Sequence, residues 1–206
     1  MAAEVPAACS PRSICPRKII KRKNLKTVRL LPILCLVSIL PFLTSCGTTA
    51  DLPTVDKVEL EQYAGTWHEI AKLPNKFQRG LDCVTATYTL KENGKIEVFN
   101  KGREVEKQDE WKEITGSARV PKADYPGRLK VTFFWPFAGD YYIIELDEGY
   151  QYALVGDPSR KFLWILAREP QLPENKIAEL LARASELGFD TDAVTRTNQS
   201  CYLEGN

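Results

Sequence analysis

The sequence predicts an all-β protein: an eight-stranded antiparallel up-and-down β-barrel with one C-terminal α-helix packed outside. Three observations carry this. From Gly65 onward, apolar residues recur with period two in short segments, the spacing of strands that bury one face. The connections between segments are too short for crossover helices, so neighbours must be antiparallel. One segment near the C-terminus switches to a helical period. A meander of eight strands that closes on itself leaves no exposed edge.

The elements follow in order. "TWHEIAK" opens the barrel, and "CVTATYTL" sets Val84, Ala86, Tyr88 and Leu90 on one face. Glu92-Asn93-Gly94 is a hairpin signal that leads into "GKIEVFN", where Ile96, Val98 and Asn100 share a face. "EWKEITGSARV", "GRLKVTFF", "DYYIIEL", "YQYALVGD" and "KFLWILAR" supply the other five strands. Alternation groups Leu129 with Val131 and Phe133, and Phe162 with Trp164, Leu166 and Arg168. Phe134 to Phe137 are expected to form a rim loop that borders a cavity mouth, rests on a membrane or makes a homodimer contact. In "LPENKIAELLARASELGFD", Pro173 starts a helix and Ile177, Leu180, Leu181, Ala184 and Leu187 make its apolar stripe. Gly188 stops that helix, and "DAVTRT" reads as a short last strand.

Before the barrel lies a leader. Leu30 to Leu43 is an apolar run of fourteen residues broken by Pro32 and Pro41, too short for a spanning helix, which needs about twenty. Arg17, Lys18, Lys21, Arg22, Lys23, Lys26 and Arg29 precede it, as in a secretory signal. Leu43-Thr44-Ser45-Cys46 ends the run and resembles the lipobox of bacterial lipoproteins, with cleavage before a cysteine that carries lipid. The expected organisation is a signal peptide over 1–45, a lipidated tether over 46–55 with lipidation at Cys46, and one domain over 56–206. An ordinary secretory signal is the alternative. Residue 47 is Gly rather than the Asp that holds many bacterial lipoproteins in the inner membrane. By that resemblance the outer membrane, on its periplasmic side, is the expected location.

Eight of the 28 basic residues but one of the 27 acidic residues precede Cys46, which leaves the remaining 161 residues at a net charge of −6. An acidic domain without a basic patch argues against nucleic acid as a partner. Cys9, Cys15 and Cys35 belong to the leader, so Cys83 and Cys201 are left in the domain. In an exported chain they read most simply as a disulfide, with two free thiols as the alternative.

Two short motifs frame the barrel. In "YAGTWHEIAKLP", Gly65 lets the chain turn into the first strand and Trp67 points inward. In "LWILAREP", Arg168 ends the eighth strand, a neighbour of the first, where it can cover the Trp67 indole as a cation–π pair. G-x-W at the first strand, an arginine after the eighth and one helix beyond resemble the lipocalin family. The shared stretches include "GTW", "ATYTL", "NGKIEV" and "LWILAREP", and within the family the sequence is most similar to bacterial outer-membrane lipoprotein lipocalins and apolipoprotein D. "ELDEGYQYALV" keeps Asp147 but departs from the family's T-D-Y motif. The resemblance implies a Cys83–Cys201 bridge and places Tyr88, Asn100 and Trp164 at pocket positions. Phe133 joins them from strand alternation, and Tyr141, Asn100 and Arg103 are expected at the mouth.

The function expected is binding and carriage or storage of a fatty acid or lysophospholipid, with a membrane held through the lipid anchor. A structural envelope lipoprotein with a filled barrel is the alternative, and bulk opposite Ala86 and Ala71 would mark it. An enzyme is the third reading. Against it, His68 is the only histidine and faces away from Trp67, no metal or cofactor motif is present, and Glu69 is the one candidate for an internal carboxylate.

Overall fold

The structure is a computed structural model that describes residues 51–107 and 110–203. The expected signal peptide and Cys46 lie outside the described residues. Eight strands form the wall: β1 (Gly65–Lys72), β2 (Leu81–Leu90), β3 (Ile96–Glu104), β4 (Trp111–Arg119), β5 (Arg128–Phe134), β6 (Phe137–Leu146), β7 (Tyr152–Gly156) and β8 (Leu163–Ala167). Each pairs antiparallel with the next, and β8 returns to β1, so the meander closes. A short helix, α1 (Leu60–Tyr63), precedes β1, and α2 (Glu174–Glu186) follows β8. A two-residue strand, β9 (Thr195–Arg196), adds to the end of β1. The fold class is the one the alternation predicts; α1 carries no periodic signal and was not foreseen.

The alternation sorts apolar side chains into two cores. Inside the barrel, Trp67, Tyr88, Val98, Leu129, Ile143, Val155 and Leu166 pack together with Tyr63 of α1. Outside it, Ile70, Ile144, Leu154, Leu163 and Ile165 meet Ile177, Leu180 and Ala184 of α2. The helix stripe thus covers the outer wall as expected, and Gly188, at φ +85°, terminates it in a conformation that favours glycine. Leu52, fully buried in this outer core, draws the N-terminal segment against the same wall.

Two positions differ from strict alternation. A bulge between Glu69 and Ala71 shifts the register of β1 against β8, and Ala71 joins the outer core instead of facing the lumen. Ala71 therefore says nothing about how full the barrel is. The expected four-residue rim loop is a hairpin tip: Phe134 ends β5, Phe137 begins β6 and the two are paired, with only Trp135 and Pro136 between them. Phe134, Trp135 and Phe137 are 64%, 89% and 78% exposed.

The barrel opens along a seam between β1 and β2. β1 and β2 are paired from Gly65–Tyr88 to His68–Thr85 and then separate. The C-terminal tail fills the opening. β9 pairs with Ala71 and Lys72, and the Thr197 amide donates to Ile70 O at 3.0 Å. The Gln199 amide spans the gap, donating to Glu69 O at 2.8 Å and Val84 O at 2.9 Å. On the β2 side, a bulge at Cys83, with φ +50°, releases the Cys83 N–H from the ladder to β3, and it donates to Asn198 O at 2.8 Å. A Cys83–Cys201 disulfide then fastens tail to wall. A separation of 118 residues makes this crosslink worth about 4–5 kcal/mol on chain-entropy grounds. Reduction, or Cys201→Ser, is expected to lower stability in urea denaturation by about that amount and to expose the edges of β1 and β2 to hydrogen exchange.

Candidate functional site

The strand directions give the barrel two ends. Gly65, Leu90, Ile96, Arg128 and Ala167 lie toward one end, with α1 beneath them; Lys72, Leu81, Phe134 and Leu163 lie toward the other. The first end is shut. Trp67, fully buried, donates from Nε1 to Tyr63 O at 2.8 Å. Arg168 stacks on the indole, its Cζ 3.9 Å from the ring centroid. Its guanidinium also donates to Gln62 O (2.7 Å), Thr66 O (2.9 Å), Ala64 O (3.0 Å), and Tyr63 O and Tyr150 O (both 3.2 Å). One planar fork thereby ties together α1, the start of β1 and the turn before β7. Gly65, at φ +96°, turns the chain into β1 and leaves room there: a Cβ would stand 3.3 Å from Arg168 Nη1. Gly65, Trp67 and Arg168 form one structural unit.

Above this plug lies a tyrosine floor. Tyr88 on β2 and Tyr141 on β6 come from opposite walls, four strands apart in the closed ring. The Tyr88 hydroxyl donates to Tyr141 Oη at 2.9 Å, and Tyr141 Oη lies 2.7 Å from Tyr63 Oη. Burial pushes the Tyr88 phenol up to about 12 and lifts Tyr63 and Tyr141 well above the ordinary tyrosine value, because a phenolate there would lose its hydration. Tyr141 thus sits at the floor and not at the mouth, since it pairs with Leu129 near the shut end of β5.

Between floor and rim, the inward side chains of Ala86, Val131, Phe133 and Trp164 pack against the inner core yet stay only half-buried. Asn100, paired with Ala86, is half-buried too. Phe133 lies over Gly116, where a Cβ would come within 2.6 Å of its ring. Trp164 stacks on Phe162, the two rings tilted by only 8°. A strap between β1 and β2 reaches this side of the mouth. Gln78 accepts from Trp164 Nε1 at 3.0 Å and from Asn75 Nδ2 at 2.7 Å, and donates to Glu69. Glu69 also holds Lys72 Nζ at 2.5 Å and Thr197 Oγ1 at 2.6 Å. Arg103, expected near the head group of a ligand, is forked on Asp82 at 2.9 and 3.0 Å. His68 packs edge-on to Tyr202 of the tail, 4.8 Å between centroids, and burial lowers its pKa.

Of the sequence-derived ligand set, Tyr88, Asn100, Phe133, Tyr141 and Trp164 all fall within the barrel. Tyr63 and Gln78 escaped the sequence reading because neither belongs to an alternating strand.

A family model described as a lipocalin-like domain matches residues 58–199. The chain belongs to the lipocalin family. This lipocalin is 38% identical over 166 residues to the outer membrane lipoprotein Blc of Escherichia coli K12, a match covering 79% of this chain and 93% of that protein. It is 40% identical to Blc of Vibrio cholerae, over 74% of this chain and 90% of that one. Mouse apolipoprotein D matches at 33% identity, over 75% and 84% of the two chains. Among solved structures, insecticyanin of the tobacco hornworm superposes with a TM-score of 0.58 at 24% identity, covering 72% of this lipocalin and 84% of that chain. That likeness speaks to the fold alone.

Arg168→Ala removes five hydrogen bonds to carbonyls and the cation over the indole. It is expected to cost about 3 kcal/mol or more, read as a lower urea midpoint. Arg168→Lys should recover little of this, since an ammonium lacks the planar fork.

Proposed function

We propose that this lipocalin is an outer-membrane protein, anchored through lipid on Cys46 on the periplasmic side, that carries or stores a small amphiphile such as a fatty acid or lysophospholipid. One observation carries the reading. Inward side chains at the floor are almost fully buried, whereas Ala86, Val131, Phe133 and Trp164 above them keep solvent contact. The barrel wall continues past its packed core, and its inward side chains there are apolar and aromatic, the lining expected of a lipid-binding cup. Each acyl methylene that enters such a cup gains about 0.8 kcal/mol.

The outer membrane lipoproteins matched at 36–40% identity support the location, and maintenance of envelope lipids is the role that suits it. No helix among the described residues is long and apolar enough to cross a membrane. Binding is favoured over catalysis because Glu69, the internal carboxylate, is fully engaged by Lys72, Thr197 and Gln78. A structural role with a filled barrel draws support from the floor, where three tyrosines occupy the cross-section.

The test is a titration of the processed chain, carrying Cys46→Ser, with oleate and with lysophosphatidylcholine, followed by tryptophan fluorescence. A saturable change at low micromolar ligand, weakened about tenfold by Trp164→Ala, is expected. Absence of saturation with either lipid would favour the filled barrel. In cells, Cys46→Ser should move the protein from the membrane to the soluble fraction.

A further inference from the structure

The tyrosine floor holds one more proton than it can use. Three hydroxyls joined by two hydrogen bonds have three donors and two places for them. If Tyr141 donates to Tyr63, the Tyr63 proton is spare; if Tyr63 donates, the Tyr141 proton is spare. Among the described residues no other acceptor meets any of the three oxygens. All three side chains are at least nine-tenths buried, where an unmet donor is costly.

A complementary gap lies nearby on the same inner surface. Asn100 sits one inward position closer to the mouth than Val98, the cross-strand partner of Tyr88. Its Oδ1 is buried and accepts no hydrogen bond. The cup therefore offers a donor at its floor and an acceptor just above, among the apolar side chains of Ala86, Val98, Val131 and Phe133. A methyl-ended acyl chain satisfies neither. A carboxylate suits the place poorly, because the Arg168 guanidinium beneath it is already committed to five carbonyls.

We propose that the floor of the cup is a binding subsite for a hydroxyl on the ligand's buried hydrocarbon. That hydroxyl accepts the spare tyrosine proton and donates to Asn100 Oδ1. The assignment rests on the lipid-binding reading and narrows it to a class of ligand, hydroxylated acyl lipids. The phenols stay protonated across the physiological range, since burial holds all three pKa values above the ordinary one, so the donor is permanent.

The experiment compares hexadecanoate with positional isomers of hydroxyhexadecanoate bearing the hydroxyl near the head, at mid-chain and at the terminal carbon. The protein is the processed chain with Cys46→Ser, and affinity is read by tryptophan fluorescence. One isomer is expected to bind about three- to tenfold more tightly than hexadecanoate. A single Tyr→Phe change leaves a spare proton whichever tyrosine it removes, so the informative variant combines Tyr63→Phe, Tyr88→Phe and Tyr141→Phe. There the affinity ratio should fall to about one, with a thermal melt showing that the variant is folded. Asn100→Leu should reduce the ratio partway. Equal binding of hexadecanoate and every isomer by the unsubstituted floor would overturn the subsite, as would a preference that survives in the triple variant. Failure of both hexadecanoate and its hydroxylated isomers to bind would instead overturn the lipid-binding reading itself.

Discussion

Everything above the shut end depends on the Arg168 guanidinium being held between an indole face and a ring of carbonyl oxygens. The contact joins the last strand of the meander to the first, where a linear sheet becomes a closed one. It also fixes α1, because three of the five accepting carbonyls belong to Gln62, Tyr63 and Ala64. Fixing α1 places the Tyr63 ring under Tyr88 and Tyr141. A charge half-sheltered by aromatic and backbone groups thus sets the height of the floor, and so the depth of whatever space lies above. Burial alone would favour neutral arginine, and its pKa is lowered for that reason, but the donor fork meets enough carbonyl dipoles to keep the cation in place.

The mouth is organised by a different kind of contact. Glu69 and Lys72 are a nearly dry ion pair, and such a pair contributes less to stability than its short distance suggests, because both charges have left water. Its value lies in position. Glu69 receives a side chain from the strap through Gln78 and one from the tail through Thr197. Through Gln78 the same network orients the Trp164 ring, which stands where the cup opens. Strap, tail and an aromatic wall residue are therefore registered to one carboxylate.

Strand number, barrel closure, the outer helix and the Trp67–Arg168 pair are legible in the sequence because each follows from a period or a motif. Alternation with period two cannot slip without turning a face inside out, so "ATYTL" and "LWILA" name their inward residues directly. Legibility ends where a bulge intervenes. The extra residue between Glu69 and Ala71 turns Ala71 to the outer core, and the bulge at Cys83 turns its N–H toward the tail; neither has a compositional mark. The floor was half visible. Tyr88 and Tyr141 lie on predicted strands, but their meeting across the lumen depends on Tyr63, which is carried by a single helical turn without periodicity. Gln78 belongs to a strap whose path is set by what it touches and not by its own sequence.

The seam between β1 and β2 has a consequence for how the chain comes into being. Synthesis runs from the N-terminus, so all eight strands exist before the residues that caulk the wall. Until Thr197, Asn198 and Gln199 arrive, Glu69, Ile70 and Val84 present carbonyls and Cys83 presents an amide to whatever strand is at hand. A polypeptide stalled or clipped short of residue 195 would keep that adhesive edge and invite pairing with its own copies. The tail thus acts as a late seal: only a chain synthesised through Gln199 can hide the edge.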